Sequence, residues 1–98
     1  MQTFFLSKPK NNLSVAVLEN YNIYHCAEFD NKSRAIEYLK NKIITYEKDL
    51  NKNDCSTSID VFSGLLKLTY NDNSDKIISI MICGLCKDQN ETLKKELE

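Results

Sequence analysis

The chain has 98 residues, 42% hydrophobic and 28% charged, with a net charge of −1. That length suits one domain with a single core, and the balance excludes a chain disordered throughout. The missing positive excess argues against a general nucleic-acid binder, which needs many unopposed Lys and Arg to displace phosphate counterions.

Asn (11), Lys (12) and Ile (9) are abundant while Gly (2), Pro (1) and Trp (0) are scarce, the usage of an AT-rich coding sequence. Phe4, Phe5 and Leu6 make too short an apolar run for a signal peptide. The longest apolar stretch, Ile77 to Cys86, falls far short of the ~20 residues of a spanning helix. These features predict a soluble, cytoplasmic protein without a membrane partner, whose cysteines are thiols rather than disulfides.

Thr3 to Leu6 reads as a short first strand, ended by the loop around Pro9, Asn11 and Asn12. Leu13 to Glu19 alternates as a second strand, with Leu13, Val15 and Val17 on one face. Asn20-Tyr21-Asn22 is a hairpin connection. The returning strand, Ile23 to Phe29, is expected to place Ile23, His25, Ala27 and Phe29 together and Tyr24, Cys26 and Glu28 opposite.

Asp30 or Asn31 can cap a helix, because a short side-chain oxygen accepts the first-turn amide protons. Ala35, Ile36, Leu39, Ile43, Tyr46 and Leu50 follow at spacings of three and four, one apolar stripe of a long amphipathic helix. Ser58 to Tyr70 reads as one strand kinked at Gly64, with Leu66, Leu68 and Tyr70 inward. Asn71 to Asp75 is a turn. Lys76 to Cys83 is apolar on both faces and is expected to be central in the sheet. Residues 87–98 are a charged tail, frayed or a short exposed helix through Leu93 and Leu97.

This order, β-β-β-α-β-β, predicts an α+β fold, 1–98 as one compact domain. A mostly antiparallel sheet of about five strands would carry one long helix on one face. The other face would then be left open with Leu18, Tyr24, Ile77 and Met81 or their opposites, the mark of a contact surface and of a homodimer or a docked protein partner. The segment Asn31 to Asn53 carries six basic residues, among them Lys32, Arg34, Lys40 and Lys42, against three acidic ones. That excess suits either a solvated helix face or docking on an acidic partner.

Cys83-Gly84-Leu85-Cys86 is the one motif with chemical content. An apolar strand, Cys-x-x-Cys, Lys87 and then a helical pattern resembles locally the active-site segment of thioredoxins. That resemblance implies a thiolate stabilised at a helix N-terminus. It covers only the C-terminal end of the chain, and the sole proline, Pro9, lies in an early loop. Zinc is the other reading of Cys83 and Cys86, and His25, Cys26 and Cys55 would have to complete the tetrahedral set. Against both stands Cys83 as a small buried core residue.

His25, the only histidine, lies on a strand face opposite Cys26 and Glu28, and two glycines cannot build a phosphate loop. No catalytic residue and no cofactor is therefore expected. The leading expectation is a non-catalytic interaction module, of the kind that a phage or mobile element encodes to inhibit a host defence enzyme. A thiol redox or zinc protein and a small nucleic-acid-binding regulator are the alternatives.

Overall fold

The structure, a computed structural model, describes residues 13–50, 55–62, 64–72 and 76–98. The strand expected at Thr3 to Leu6 lies outside them. The described chain runs β1 (Leu13–Glu19), β2 (Asn22–Phe29), α1 (Lys32–Asp49), β3 (Cys55–Phe62), β4 (Leu65–Asp72), β5 (Ile77–Cys83) and α2 (Lys87–Leu97). The strands form one sheet in the order β2-β1-β5-β4-β3, every neighbouring pair antiparallel. The fold is α+β, and β5 occupies the centre that its two apolar faces predict.

Strand alternation decides which residues meet the helices. Val15 stands between Ala27 and Ile82, Val17 between His25 and Ile80, and Leu68 between Ile59 and Ile80. Val15, Val17, Ile80, Ile82 and Leu66 are wholly buried on this face. From above, α1 contributes Ala35, Leu39 and Ile43 to the same cluster, and α2 contributes Leu93. A fully buried Leu or Ile side chain stabilises a fold by about 1.5–3 kcal/mol, so this layer carries most of the stability.

Asn31 caps α1, its Oδ1 accepting the Arg34 N–H at 3.2 Å. At the other end Tyr70, buried in β4, donates its hydroxyl to Glu47 Oε2 at 2.5 Å. Burial, and then that bond to Glu47, push the Tyr70 hydroxyl above the ordinary tyrosine range. A Lys40–Glu96 ion pair at 2.9 Å joins the two helices across their outer sides.

One expectation changes and another is narrowed. The stretch read as one strand kinked at Gly64 is the β3–β4 hairpin, with Phe62 paired to Leu65. Gly64 has φ +79°, a left-handed conformation that reverses the chain where a kink would only bend it. Of the two readings of the charged tail, frayed or a short helix through Leu93 and Leu97, the helix is the one that forms, though packed where an exposed one was expected. It is α2, with Leu93 only 2% exposed and Leu97 packed on the core. Asn90, fully buried, fastens α2 by donating Nδ2 to the carbonyls of Phe62 and Leu85, each at 3.4 Å.

Candidate functional site

Because both described helices share one side, no described helix covers the other face of the sheet. Across that face, Ala16 of β1 lies between Cys26 of β2 and Met81 of β5, and Met81 is followed by Lys67 of β4 and Asp60 of β3. The adjoining row runs Glu28, Ser14, Cys83, Leu65 and Phe62, and the next runs Ile23, Leu18, Ser79, Thr69 and Ser58. Apolar side chains therefore spread over all five strands, densest on β1 and β5. Charges are few, and Lys67 stands directly opposite Asp60, where unlike charges attract.

Ile77 and Met81 fall on this face, half-buried, as the alternation of β5 predicts. Leu18 joins them through its pairing with Ser79. Ile23 was expected beside His25 and is not there. Its pairing with Leu18, while Val17 pairs with His25, leaves Tyr24 as the extra residue of a β-bulge. The bulge turns Ile23 to the open face, 70% exposed, and leaves Tyr24 on the outer strand at 67%. Cys83 is likewise no buried core residue, because its pairings with Ser14 and Leu65 set it half-exposed on the open side.

The β1–β2 turn adds a third large exposed residue. Asn20 and Tyr21 both have positive φ, 51° and 70°. Asn suits such a turn, whereas a bulky tyrosine there is strained. Two bonds fix the turn to β5: the Asn20 N–H donates to the Ile77 carbonyl at 2.8 Å, and the Ile77 N–H donates to Asn20 Oδ1 at 2.9 Å. Tyr21 is consequently held out in solvent at the rim of the open face.

The basic residues of α1 do not converge. Lys32 and Arg34 are exposed in the first turn, which carries no acidic residue. Lys40 turns towards α2 and its Glu96 partner, while Lys42 turns towards β2, its Nζ 5.2 Å from the Tyr38 ring centre. At about 100° per residue these four positions point round the helix rather than along one side. Between the helices an open trough of about 260 Å³ has Ile36 and Leu93 at its base and Asp88 and Glu96 on its rim.

His25 lies on the covered side. Its Nε2 is hydrogen-bonded to the Tyr38 hydroxyl, and its ring stacks with Tyr38. Tyr46, further along α1, has its hydroxyl raised above the ordinary value by burial and then by the Glu19 carboxylate. The sheet thus separates the imidazole from Cys26 and Cys83 on the open face. Gly84, at φ +105°, makes the turn between the two halves of the Cys-x-x-Cys. Cys86 then stands at the N-cap of α2, its N–H donating to Gln89 Oε1 at 3.1 Å. All four cysteines are free thiols, and among the described residues no three His, Cys, Asp or Glu gather as a metal site.

Alternation alone marks Leu18, Ile77 and Met81. Cys26 belongs with them by the same rule. Ile23 needs the bulge, and Leu65 and Phe62 need the Gly64 hairpin, neither of which hydrophobic periodicity carries. Among the described residues no helix is long and apolar enough to cross a membrane. Compared with family models, curated proteins and solved structures, the chain matches none.

Proposed function

We propose that the chain is a non-catalytic interaction module that docks another protein on the helix-free face of its sheet. One observation carries this reading: the apolar surface of Ile23, Leu18, Met81, Leu65 and Phe62 is continuous across five strands and has no described helix over it. Removing such a surface from water on binding is favourable in proportion to its area. Tyr21 and Tyr24 at its rim supply the rigid aromatic side chains that interfaces favour. A narrower form, an inhibitor encoded by a phage or mobile element against a host defence enzyme, draws on the small size and the Asn-, Lys- and Ile-rich composition.

The test compares capture of the partner from cells of the source by three forms of the chain. Wild type and Lys32→Glu/Arg34→Glu are expected to retain it, and Met81→Lys to lose it. Equal capture by wild type and Met81→Lys would remove the open face from the reading. Loss on the Lys32/Arg34 variant alone would move the site to α1.

A second reading has its own observation. Strand, Cys83, a glycine turn, Cys86 and helix do occur in the order that the thioredoxin-like segment implies. If thiol chemistry is the function, Cys83→Ser/Cys86→Ser abolishes it. An interaction module keeps its binding through that change.

A further inference from the structure

We infer that the β1–β2 turn and the end of α1 form a cation-recognising corner, which takes an arginine- or lysine-bearing segment of a partner protein on Tyr21 and Tyr24. The corner borders the open face of the sheet but does not depend on it.

Backbone strain is the first argument. Asn20 and Tyr21 both have positive φ, and the second position of such a turn is filled most easily by glycine. A bulky side chain at φ 70° is an outlier. No contact within the chain offsets it. The Tyr21 side chain is 68% exposed and makes no hydrogen bond or ring contact among the described residues. Strain of this kind clusters at ligand clamps, where the surrounding structure holds it in place. Here the two bonds between Asn20 and Ile77 do the holding. The ring is therefore presented in advance, which lowers the entropy lost on binding.

Exposure is the second. Tyr24, the extra residue of the β2 bulge, is 67% exposed. Leu18 and Met81 are already partly covered by the chain itself, whereas these two rings offer most of their area to a partner. Tyrosine is among the residues that most often anchor interfaces.

Charge selects the occupant. Glu19 directly precedes the turn and pairs with Asn22 on its far side. Asp49 is the last residue of α1. Tyr46 faces the same corner, since after burial it is Glu19, Tyr24 and Asp49 that raise its hydroxyl. Two carboxylates and two tyrosines thus set a negative field beside the turn. Lys48, the basic residue of the last helical turn, stands about 200° round α1 from Tyr46 and points elsewhere. Lys76, next to Ile77, already has an interaction of its own. A cation over a tyrosine ring is attracted by the face of that ring. The chain makes one such contact itself, with Lys42 Nζ 5.2 Å from the Tyr38 ring centre. Arginine suits the corner best, because its planar fork can lie on a ring while it bonds a carboxylate. A phosphate backbone would be repelled by the same field.

Chemical shifts of the full chain, followed while acetylated tri-arginine is added up to about 10 mM, test the inference at a concentration where weak contacts are populated. Wild type is expected to show saturating shifts at residues 19–24 and 46–49 that shrink as salt is raised. Tyr21→Gly relieves the turn and so folds at least as well, yet is expected to bind about tenfold more weakly or not at all. Glu19→Gln/Asp49→Asn is expected to weaken binding by a similar factor. Met81→Lys, on the open face, is expected to bind as wild type does, and tri-glutamate to leave the corner unmoved. Absence of shifts at the corner over the whole titration overturns the inference. So does binding that Tyr21→Gly leaves unchanged. Neither result bears on the open face, which the capture experiment decides, so the two ideas fail separately.

Discussion

The two faces of this sheet differ in composition less than in what covers them. On the helix side, Val15, Val17, Ile80, Ile82 and Leu66 meet α1 and α2 and lose all contact with water. On the other side, Leu18, Ile77, Met81, Cys83 and Leu65 are drawn from the same apolar set but remain partly exposed. A strand buried on one side can be polar on the other, and here β1 and β5 are not. The lesson is that the sequence provides for two layers of contact, and the described chain completes one of them.

The sharpest way to test that asymmetry is to truncate one side chain on each face. Leu39→Ala, under α1, is expected to lower unfolding stability by about 2–5 kcal/mol, since it leaves a cavity in the closed layer. Met81→Ala is expected to cost less, about 1–2 kcal/mol, because that side chain is only partly buried. Equal shifts in the urea midpoint would show that both faces are covered in solution.

Next in size is the polar tie between the closed layer and α1. Tyr70→Phe removes the hydroxyl that Glu47 accepts and is expected to cost about 1–2 kcal/mol at neutral pH. The raised Tyr70 hydroxyl also sets the sign of a pH effect. Its contribution is fully present below about pH 10, the ordinary tyrosine value. Above that, the unfolded chain gives up the proton while the folded chain keeps it, so stability falls as pH rises. Denaturation midpoints between neutral pH and pH 11 should fall more for wild type than for Tyr70→Phe. Parallel curves would show that the hydroxyl ionises alike in both states.

Two smaller changes probe the open layer. Ser79→Ala removes a buried hydroxyl that has no partner among the described residues and is expected to raise stability by about 1 kcal/mol. Tyr21→Gly relieves the left-handed strain at the turn and is expected to gain about 0.5–1 kcal/mol in thermal unfolding. Should it destabilise instead, Tyr21 makes contacts that outweigh its backbone cost.

Local periodicity was enough for much of this architecture. The stripe Ala35, Leu39 and Ile43, the alternation of Leu13, Val15 and Val17, and the two-sided apolar pattern of β5 each follow from spacing alone. Three features escaped for physical reasons. A bulge adds one residue to β2, and that reverses the face of Ile23 without altering the pattern around it. A strand–turn–strand in which both arms keep the same alternation looks like one long strand, so the Gly64 hairpin was hidden. The final segment was too polar to suggest a buried helix. Its docking depends on Leu93, Leu97 and the Asn90 bonds, contacts that form only once β3 and β4 exist. The open face was legible as a face, but its membership depended on the bulge and the hairpin.

The central place of β5 also governs how the molecule is made. β1 and β2 can zip together early, and β3 and β4 form a second hairpin, yet the order β2-β1-β5-β4-β3 gives these halves no common border until residues 77–83 arrive. The wedge that unites them comes late in the chain and must find β1 across the intervening β2, α1, β3 and β4, a long-range contact that slows assembly. A nascent chain on the ribosome would therefore hold two half-sheets with exposed flanks, and commit to its native state only when the fifth strand slides between them.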